Sequence, residues 1–329
     1  MRYLILISIY LFSFSQVKIE PTPEWIYSDA NTLFKTASIT WTSDIKALIY
    51  DQRITSQERS IELFDPASGK RETIVDAKKA VASLKKIHNH AADFLPEPDS
   101  YTSAGDKGLY EINGDLFVLT FSSSSFQRLT ATEETEKSPS FSPDGNRVAF
   151  VRNNDLYVFD LKKNTEIRIT ESGGESLLNG TLSWVYWEEI FGRRDIGYWW
   201  SPDSKSIAFL ESDESLVDLI YYVDFKPNVQ RVFTQRYPKA GHTNPSVRIG
   251  INRVGSKSIN WIDKNKFDYE YIIRVNWLPD NQRISVQTMN RKQDEVKLFF
   301  VKTDDLSASL IHTETDPGWI NIHDDLHFL

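Results

Sequence analysis

Short stretches of alternating apolar residues, separated by turn residues, run through most of the chain. The clearest set lies in residues 139–170, where residues 148–151, 156–159 and 167–169 are three such stretches. Asn153-Asn154-Asp155 supplies a turn signal between the first two. This pattern predicts a meander of antiparallel strands joined by short hairpins, which is the content of one propeller blade.

One turn sequence recurs along the chain, each time just before an apolar stretch. An aromatic residue followed by Ser-Pro-Asp or a close variant stands at residues 41–44, 141–144, 200–203 and 277–280. Residues 114–119 and 128–130 indicate the outer strands of one more blade. This repetition predicts an all-β fold, a β-propeller of four-stranded blades with about five blades present. A β-sandwich of unrelated hairpins is the alternative, and the repeated turn argues against it.

Two stretches depart from the strand pattern. Residues 77–98 have the composition of a short helical insertion, and residues 172–197 join a Gly-rich start to a dense aromatic and acidic segment. The chain ends at residues 328–329 without a closing strand signal. We therefore expect a propeller that ends mid-pattern and is not closed into a ring, with an exposed sheet edge on its last blade.

Composition allows a large buried core and excludes several classes of function. Hydrophobic residues make up 40% and charged residues 26% of the 329 residues. The net charge of −8 argues against a nucleic-acid partner. The chain has no Cys, which excludes a disulfide framework, a Cys-based zinc site and a thiol nucleophile.

Residues 1–15 have the three regions of a secretory signal peptide. Arg2 gives a positive start, residues 3–12 form a short apolar run, and Ser13 and Ser15 mark a cleavage site before Gln16. A membrane-spanning helix needs roughly 20 apolar residues, far more than this run provides. A hydrophobic first strand is the alternative. We expect a cleaved signal peptide, no membrane span, and a secreted or periplasmic protein.

The aromatic and acidic segment carries the candidate chemistry. Two adjacent carboxylates, Glu188 and Glu189, stand among Trp, Tyr and Phe residues. Like charges in a low-polarity neighbourhood are costly to desolvate, so a cation is expected to meet them. A substrate ammonium group would do so through charge-assisted hydrogen bonds. The alternative is a solvated pair of surface glutamates.

Three motifs in this order resemble the dipeptidyl peptidase IV family of the prolyl oligopeptidase clan. Residues 183–189 are similar to the family's Asp-Trp-Val-Tyr-Glu-Glu-Glu, and residues 198–203 to its Tyr-Trp-Trp-Ser-Pro-Asp. Residues 237–245 are similar to its Tyr-Pro-Lys-Ala-Gly-x-x-Asn-Pro signature. The resemblance covers nearly all of the chain after the expected signal peptide.

The resemblance implies a serine-type dipeptidyl peptidase whose N-terminal propeller, of eight blades in the family, gates the access of Xaa-Pro peptides. In the family, a Glu pair on a short helical insertion holds the free α-amino group of the peptide, and by position this pair is Glu188 and Glu189. Such a clamp sets the distance from the peptide N-terminus to the cleaved bond. Family members often dimerise through the hydrolase domain and a propeller arm, so a homodimer is expected of the full-length form.

The chain departs from the family pattern at three points. Trp187 and Ser183 replace acidic residues of the first motif. No Arg lies between Asp99 and Gln127, where the family places an Arg that contacts a substrate carbonyl, so dipeptidyl and tripeptidyl cleavage both stay open. The Gly-x-Ser-x-Gly nucleophile motif needs two glycines four residues apart, and the 14 glycines include no such pair. We therefore expect residues 16–329 to be a partial propeller without catalytic residues or a hydrolase domain, inactive on its own.

No cofactor and no metal site are expected. His323 and His327 have the spacing of a helical metal motif, but a helical context and a third ligand are missing. The rival class of function is a standalone exported propeller that binds peptides or acts as a scaffold. The coding sequence after Leu329 would distinguish the two, because only the first needs a nucleophile motif there.

Overall fold

A computed structural model describes residues 22–26, 35–89 and 92–328. The expected signal peptide, residues 1–15, lies outside the described residues. The described chain is mostly β-strand, which confirms the predicted all-β class. It also contains two α-helices, α1 (Pro23–Ile26) and α2 (Ala77–Ile87). Within the same ranges, no helix has the length and apolar character needed to cross a membrane.

Five antiparallel sheets follow one another along the described chain, and each is one propeller blade. Blade 1 contains β1 (Ala37–Trp41), β2 (Ala47–Asp51), β3 (Ile61–Asp65) and β4 (Lys70–Thr73). Blade 2 contains β5 (Ser100–Tyr101), β6 (Lys107–Ile112), β7 (Asp115–Thr120) and β8 (Ser125–Arg128). Blade 3 contains β9 (Lys137–Phe141), β10 (Arg147–Arg152), β11 (Asp155–Asp160) and β12 (Thr165–Arg168).

Blade 4 has an interrupted first strand and a long hairpin insertion. Its strands are β13 (Leu177–Asn179), β14 (Tyr198–Trp200), β15 (Ser206–Asp213), β16 (Leu219–Asp224), β17 (Arg231–Arg236), β18 (Ser246–Arg253) and β19 (Ile259–Trp261). Both β13 and β14 pair with the same side of β15, and β18 pairs with the other. Residues 180–197 therefore leave the sheet where its first strand is split, while β16 and β17 form a separate hairpin.

Blade 5 is a four-stranded sheet, and in the described chain its last strand has the unpaired edge that was expected of the last blade. Its strands are β20 (Tyr271–Trp277), β21 (Arg283–Met289), β22 (Glu295–Lys302) and β23 (Ala308–Thr315). The last strand, β23, pairs with β22 over most of its length. Its side chains are almost all exposed, so its sequence lacks the alternation of apolar and polar residues by which a half-buried strand is detected.

Neighbouring blades share their hydrophobic cores. One cluster joins Val151 of blade 3 to Ile207 and Phe209 of blade 4. Another joins Ile249 of blade 4 to Val286 of blade 5. Because consecutive blades bury apolar faces against each other in this way, the sheets pack face to face in chain order, as a propeller requires.

The recurring turn sequence has a structural role in the blades. In every described blade the residue after the tetrapeptide position has a left-handed backbone, namely Ile45, Gly105, Gly145, Ser204 and Asn281, with φ between 58° and 68°. In two of them the side chain also reaches the preceding blade: Asp144 N–H donates to Ser204 Oγ at 3.0 Å, and Asp203 N–H donates to Asn281 Oδ1 at 2.7 Å. The turn thus shapes a hairpin and links consecutive blades.

The predicted helical insertion in residues 77–98 is confirmed as α2. Asp76 caps it, accepting the Lys79 N–H at 3.0 Å through Oδ1. Its buried face, which includes Ala80 and Leu84, packs in the core shared by blades 1 and 2.

Candidate functional site

The Glu pair lies on a π-helix, Tyr186–Ile190, in the segment that splits the first strand of blade 4. The helix closes with Phe191 N–H donating to the Tyr186 carbonyl at 2.8 Å, a span of five residues. Single turns of π-helix are rare in proteins, and many of those that occur lie at functional sites. The helical insertion predicted to carry the pair is therefore confirmed, and its helix is wider than an α-helix.

Two buried contacts fix this π-helix on blade 5. Tyr186 is fully buried, and its hydroxyl accepts the Ile272 N–H of β20 at 3.1 Å. Burial raises the pKa of Tyr186, so the phenol stays neutral. At the other end, Arg274 Nη1 donates to the Ile190 carbonyl at 2.9 Å.

Glu188 is held by a cation from its own loop. Arg193 Nη2 lies 2.8 Å from Glu188 Oε1, and Arg193 Nε lies 3.0 Å from Oε2, a two-pronged contact. These hydrogen bonds from Arg193 keep the pKa of the Glu188 carboxyl below its usual range. The Arg193 side chain is 72% exposed, so water can compete for this ion pair.

Glu189 points differently from its neighbour. Its residue is exposed, and it lines a cavity of about 680 Å³. Within the described ranges, no ion pair or hydrogen bond engages its carboxylate, in contrast to Glu188. Glu189 is thus an anion that is available to a ligand in the cavity.

Other walls of this cavity come from blade 5 and from the segment after β23. Tyr271 and Arg274 of β20 line it, together with residues 319–322 and Asp324. Asp324 forms ion pairs with Arg274 and with Arg194, whose Nη2 lies 3.0 Å away. Sequence reasoning missed Arg194, Arg274 and Asp324, because nothing in their local sequence predicts that they meet.

The signature in residues 237–245 contacts the same region. The ring of Tyr237 packs on Trp184, with 4.3 Å between the ring centroids. Asn244 donates from Nδ2 to the Tyr271 hydroxyl at 3.0 Å. Two motifs that are separated by about fifty residues in the sequence therefore meet at the Glu-bearing insertion.

A buried carboxylate, Glu214, lies near the start of the insertion and was not singled out from the sequence. It is 8% exposed and lines a cavity of about 300 Å³ with Trp184, Trp187 and Arg236. Burial raises the pKa of Glu214 to about 7, and the nearby charge of Arg236 opposes the rise. Its protonation state therefore changes near neutral pH.

The histidines near the end of the chain do not lie on a helix. Residues 316–328 contain no helix or strand, and His323 Nδ1 lies 3.6 Å from Asp325 Oδ2. No group of three or more potential metal ligands is found in the described part of the chain.

Comparison with known proteins identifies the family. A family model described as the dipeptidyl peptidase IV N-terminal region matches residues 101–329. The chain belongs to the dipeptidyl peptidase IV family. The resemblance stated from the three motifs is thereby confirmed, and membership of this family supports a role related to peptidases.

Individual relatives agree with this assignment. A probable dipeptidyl peptidase 4 of Aspergillus flavus is 36% identical over 55% of this chain and 24% of its own length. The dipeptidyl peptidase 4 of Trichophyton tonsurans is 28% identical over 75% of this chain and 34% of its own. The chain thus spans about a quarter to a third of the length of these members of the dipeptidyl peptidase IV family.

Solved structures of the dipeptidyl peptidase IV family share the fold. The crystal structure of Porphyromonas gingivalis dipeptidyl peptidase 4 matches with a TM-score of 0.73 at 24% identity, covering 88% of this chain and 42% of that one. A putative dipeptidyl aminopeptidase IV from Bacteroides ovatus matches with a TM-score of 0.68 at 21% identity, covering 87% and 39%.

Proposed function

We propose that this propeller binds the free α-amino group of peptide substrates and gates their access in a serine exopeptidase of the dipeptidyl peptidase type. The observation that carries the proposal is the unpaired, exposed carboxylate of Glu189 at the wall of a cavity of about 680 Å³. Peptides of the Xaa-Pro type are the proposed substrates, as the resemblance of the three sequence motifs implies.

Glu188 provides a second carboxylate in the proposed amine site. Its carboxylate adjoins Glu189 in sequence and is occupied by Arg193, which is largely exposed. An exposed ion pair is worth little, so a substrate ammonium can replace Arg193 at small cost. Glu189 would then make the first contact, and Glu188 would add a second charge-assisted hydrogen bond.

Direct binding tests this proposal. We expect the purified chain to bind the tripeptide Ala-Pro-Ala more tightly than its N-acetylated form, as measured by isothermal titration calorimetry. The substitution Glu189→Gln should remove roughly tenfold of the affinity for the free tripeptide, the lower end for a charged hydrogen bond because Glu189 is exposed. Arg193→Met should instead tighten binding, since it frees Glu188.

The matched control is Glu133→Gln. Glu133 and Glu134 are a second exposed Glu pair, and they lie in the segment that connects blade 2 to blade 3. This variant should bind both peptides as the parent chain does. If Glu189→Gln behaves like the control, or if the free and acetylated peptides bind equally, the amine site is wrong.

We also propose export and homodimerisation for the full-length protein. Export is supported by the signal-peptide pattern of residues 1–15. Homodimerisation is supported by the hairpin β16–β17, a two-stranded sheet that pairs with no third strand in the described chain. Its Tyr221 and Val232 are 68% and 63% exposed, and two-stranded sheets of this kind are marginally stable unless they are covered.

A further inference from the structure

Arg274 of blade 5 is a buried cation directed at the helix that carries the Glu pair. Its side chain is only 10% exposed. The pairing of β20 with β21 shifts register between Ile272 and Arg274, so that Ile273 is an extra residue in the strand. Such a bulge redirects the side chains that follow it and is common beside functional sites.

The guanidinium of Arg274 joins three parts of the chain. Nη1 donates to the Ile190 carbonyl, the last of the π-helix, at 2.9 Å. Nε pairs with Asp324 on the segment after β23, which also lines the cavity. The same group lies 5.3 Å from the centre of the Phe191 ring, within the range of a cation–π contact.

The π-helix needs such external support. It spans five residues, far fewer than a helix requires to be stable by itself in water. The contacts of Tyr186 hold its beginning, and the Ile190 carbonyl is the acceptor that Arg274 holds at its end. The direction of Glu189 between these two anchors therefore depends on the Arg274 contact.

We propose that Arg274 is a positioning residue for the amine site: it fixes the Glu188–Glu189 helix through the Ile190 carbonyl and ties it to Asp324 in the cavity wall. This inference rests on the proposed function and adds a residue that touches no substrate. A guanidinium can bond the carbonyl and the carboxylate together because its donors form a fixed fork. An ammonium on a Lys side chain cannot span both in the same geometry.

The test uses the ratio between the dissociation constants of acetylated and free Ala-Pro-Ala, which isolates recognition of the ammonium. Arg274→Met should reduce this ratio by about tenfold, the equivalent of one charged hydrogen bond, and leave the affinity for the acetylated peptide unchanged. Arg274→Lys should restore part of the ratio. Hydrogen exchange at the Phe191 amide should become faster in the Met variant, because its bond to Tyr186 closes the π-helix.

The matched control is Arg147→Met. Arg147 is a half-buried arginine that donates from Nη1 to the Ser204 carbonyl at 2.8 Å, joining blades 3 and 4 far from the insertion in sequence. It should lower the melting temperature and leave the ratio unchanged. Asp324→Asn provides a variant that keeps the buried arginine, and it should reduce the ratio by a smaller factor, about threefold.

Two outcomes separate the inference from the proposed function. The positioning role alone is overturned if the ratio of dissociation constants stays at the parent value in Arg274→Met and Asp324→Asn. In that outcome the ratio still falls in Glu189→Gln, so the amine site itself stands. A ratio near one in the parent chain overturns the amine site and the positioning role together. If Arg274→Met does not fold, the Lys and Asp324→Asn variants decide: a normal ratio in both overturns the inference.

Discussion

Replacing Glu214 by Gln is expected to stabilise the protein at pH 8 and to leave its stability nearly unchanged at pH 4. The carboxyl group is buried beside Trp184 and Trp187, and no ion pair with it is found in the described part of the chain. Arg236 is the cation nearby, and its Nε has no hydrogen-bond partner there. Gln has nearly the same shape and no charge, and its amide oxygen can still accept the Trp184 N–H, so the substitution removes the net cost of ionisation.

The magnitude follows from the pKa of Glu214, which burial raises from 4.5 to about 7. A raised pKa means that the folded protein holds the proton more tightly than the unfolded chain. The stability from this group is therefore complete below pH 4.5 and is lost as the pH rises through 7. The shift of about 2.5 pH units corresponds to about 3 kcal/mol, since each unit is worth about 1.4 kcal/mol.

Urea unfolding followed by Trp fluorescence, at intervals from pH 4 to pH 8.5, measures this difference. The free energy of unfolding of Glu214→Gln should exceed that of the parent chain by up to about 3 kcal/mol at pH 8, with the gap closing below pH 5. Glu133→Gln, at an exposed position, should show no such gap. A gap that is constant with pH, or that widens towards acid, would refute the reasoning about the buried charge.

Two further changes test other contacts. Tyr186→Phe should cost about 1–3 kcal/mol in urea unfolding, because it leaves the buried Ile272 N–H without its acceptor; an unchanged midpoint would contradict the contact. Val232→Asp should convert the proposed homodimer to monomer in sedimentation equilibrium, because it puts a charge on the exposed face of the β16–β17 hairpin. An intact dimer would show that another surface mediates the association.

The repeated turn made the blades predictable, and its exceptions show the limits of the sequence. Blade 2 has Tyr101-Thr102-Ser103-Ala104-Gly105 at the turn, without Pro-Asp, so only its outer strands were found. The structure shows that Asp106, two residues later than in the other turns, accepts the Thr102 hydroxyl at 2.6 Å. In blade 3 the same bond runs from Ser142 to Asp144 at 2.6 Å. The same turn geometry is thus formed by two different sequences. Only the sequence with Asp in the fourth position recurs, so only that one can be detected as a repeat.

The cavity walls could not be predicted, because they depend on contacts between distant segments. Arg274 and Asp324 are separated by 50 residues, and Arg274 and Ile190 by 84. Each is unremarkable in its local sequence: an arginine in an apolar strand and an aspartate in an acidic run. Their meeting requires the bulge at Ile273 and the path of residues 319–324, and both are set by the packing of blade 5.

The different surroundings of Glu188 and Glu189 could not be predicted from their adjacency in the sequence. Two neighbouring carboxylates predict a cation between them, yet neighbouring residues on a helix do not face each other. The structure accordingly gives them different surroundings: Glu188 is held by Arg193, and Glu189 faces the cavity. In the proposed amine site, Arg193 therefore acts as a stand-in cation that keeps Glu188 ordered until an ammonium arrives. Because that pair is exposed, the exchange releases one weak contact and lets the ammonium form charge-assisted hydrogen bonds to both carboxylates.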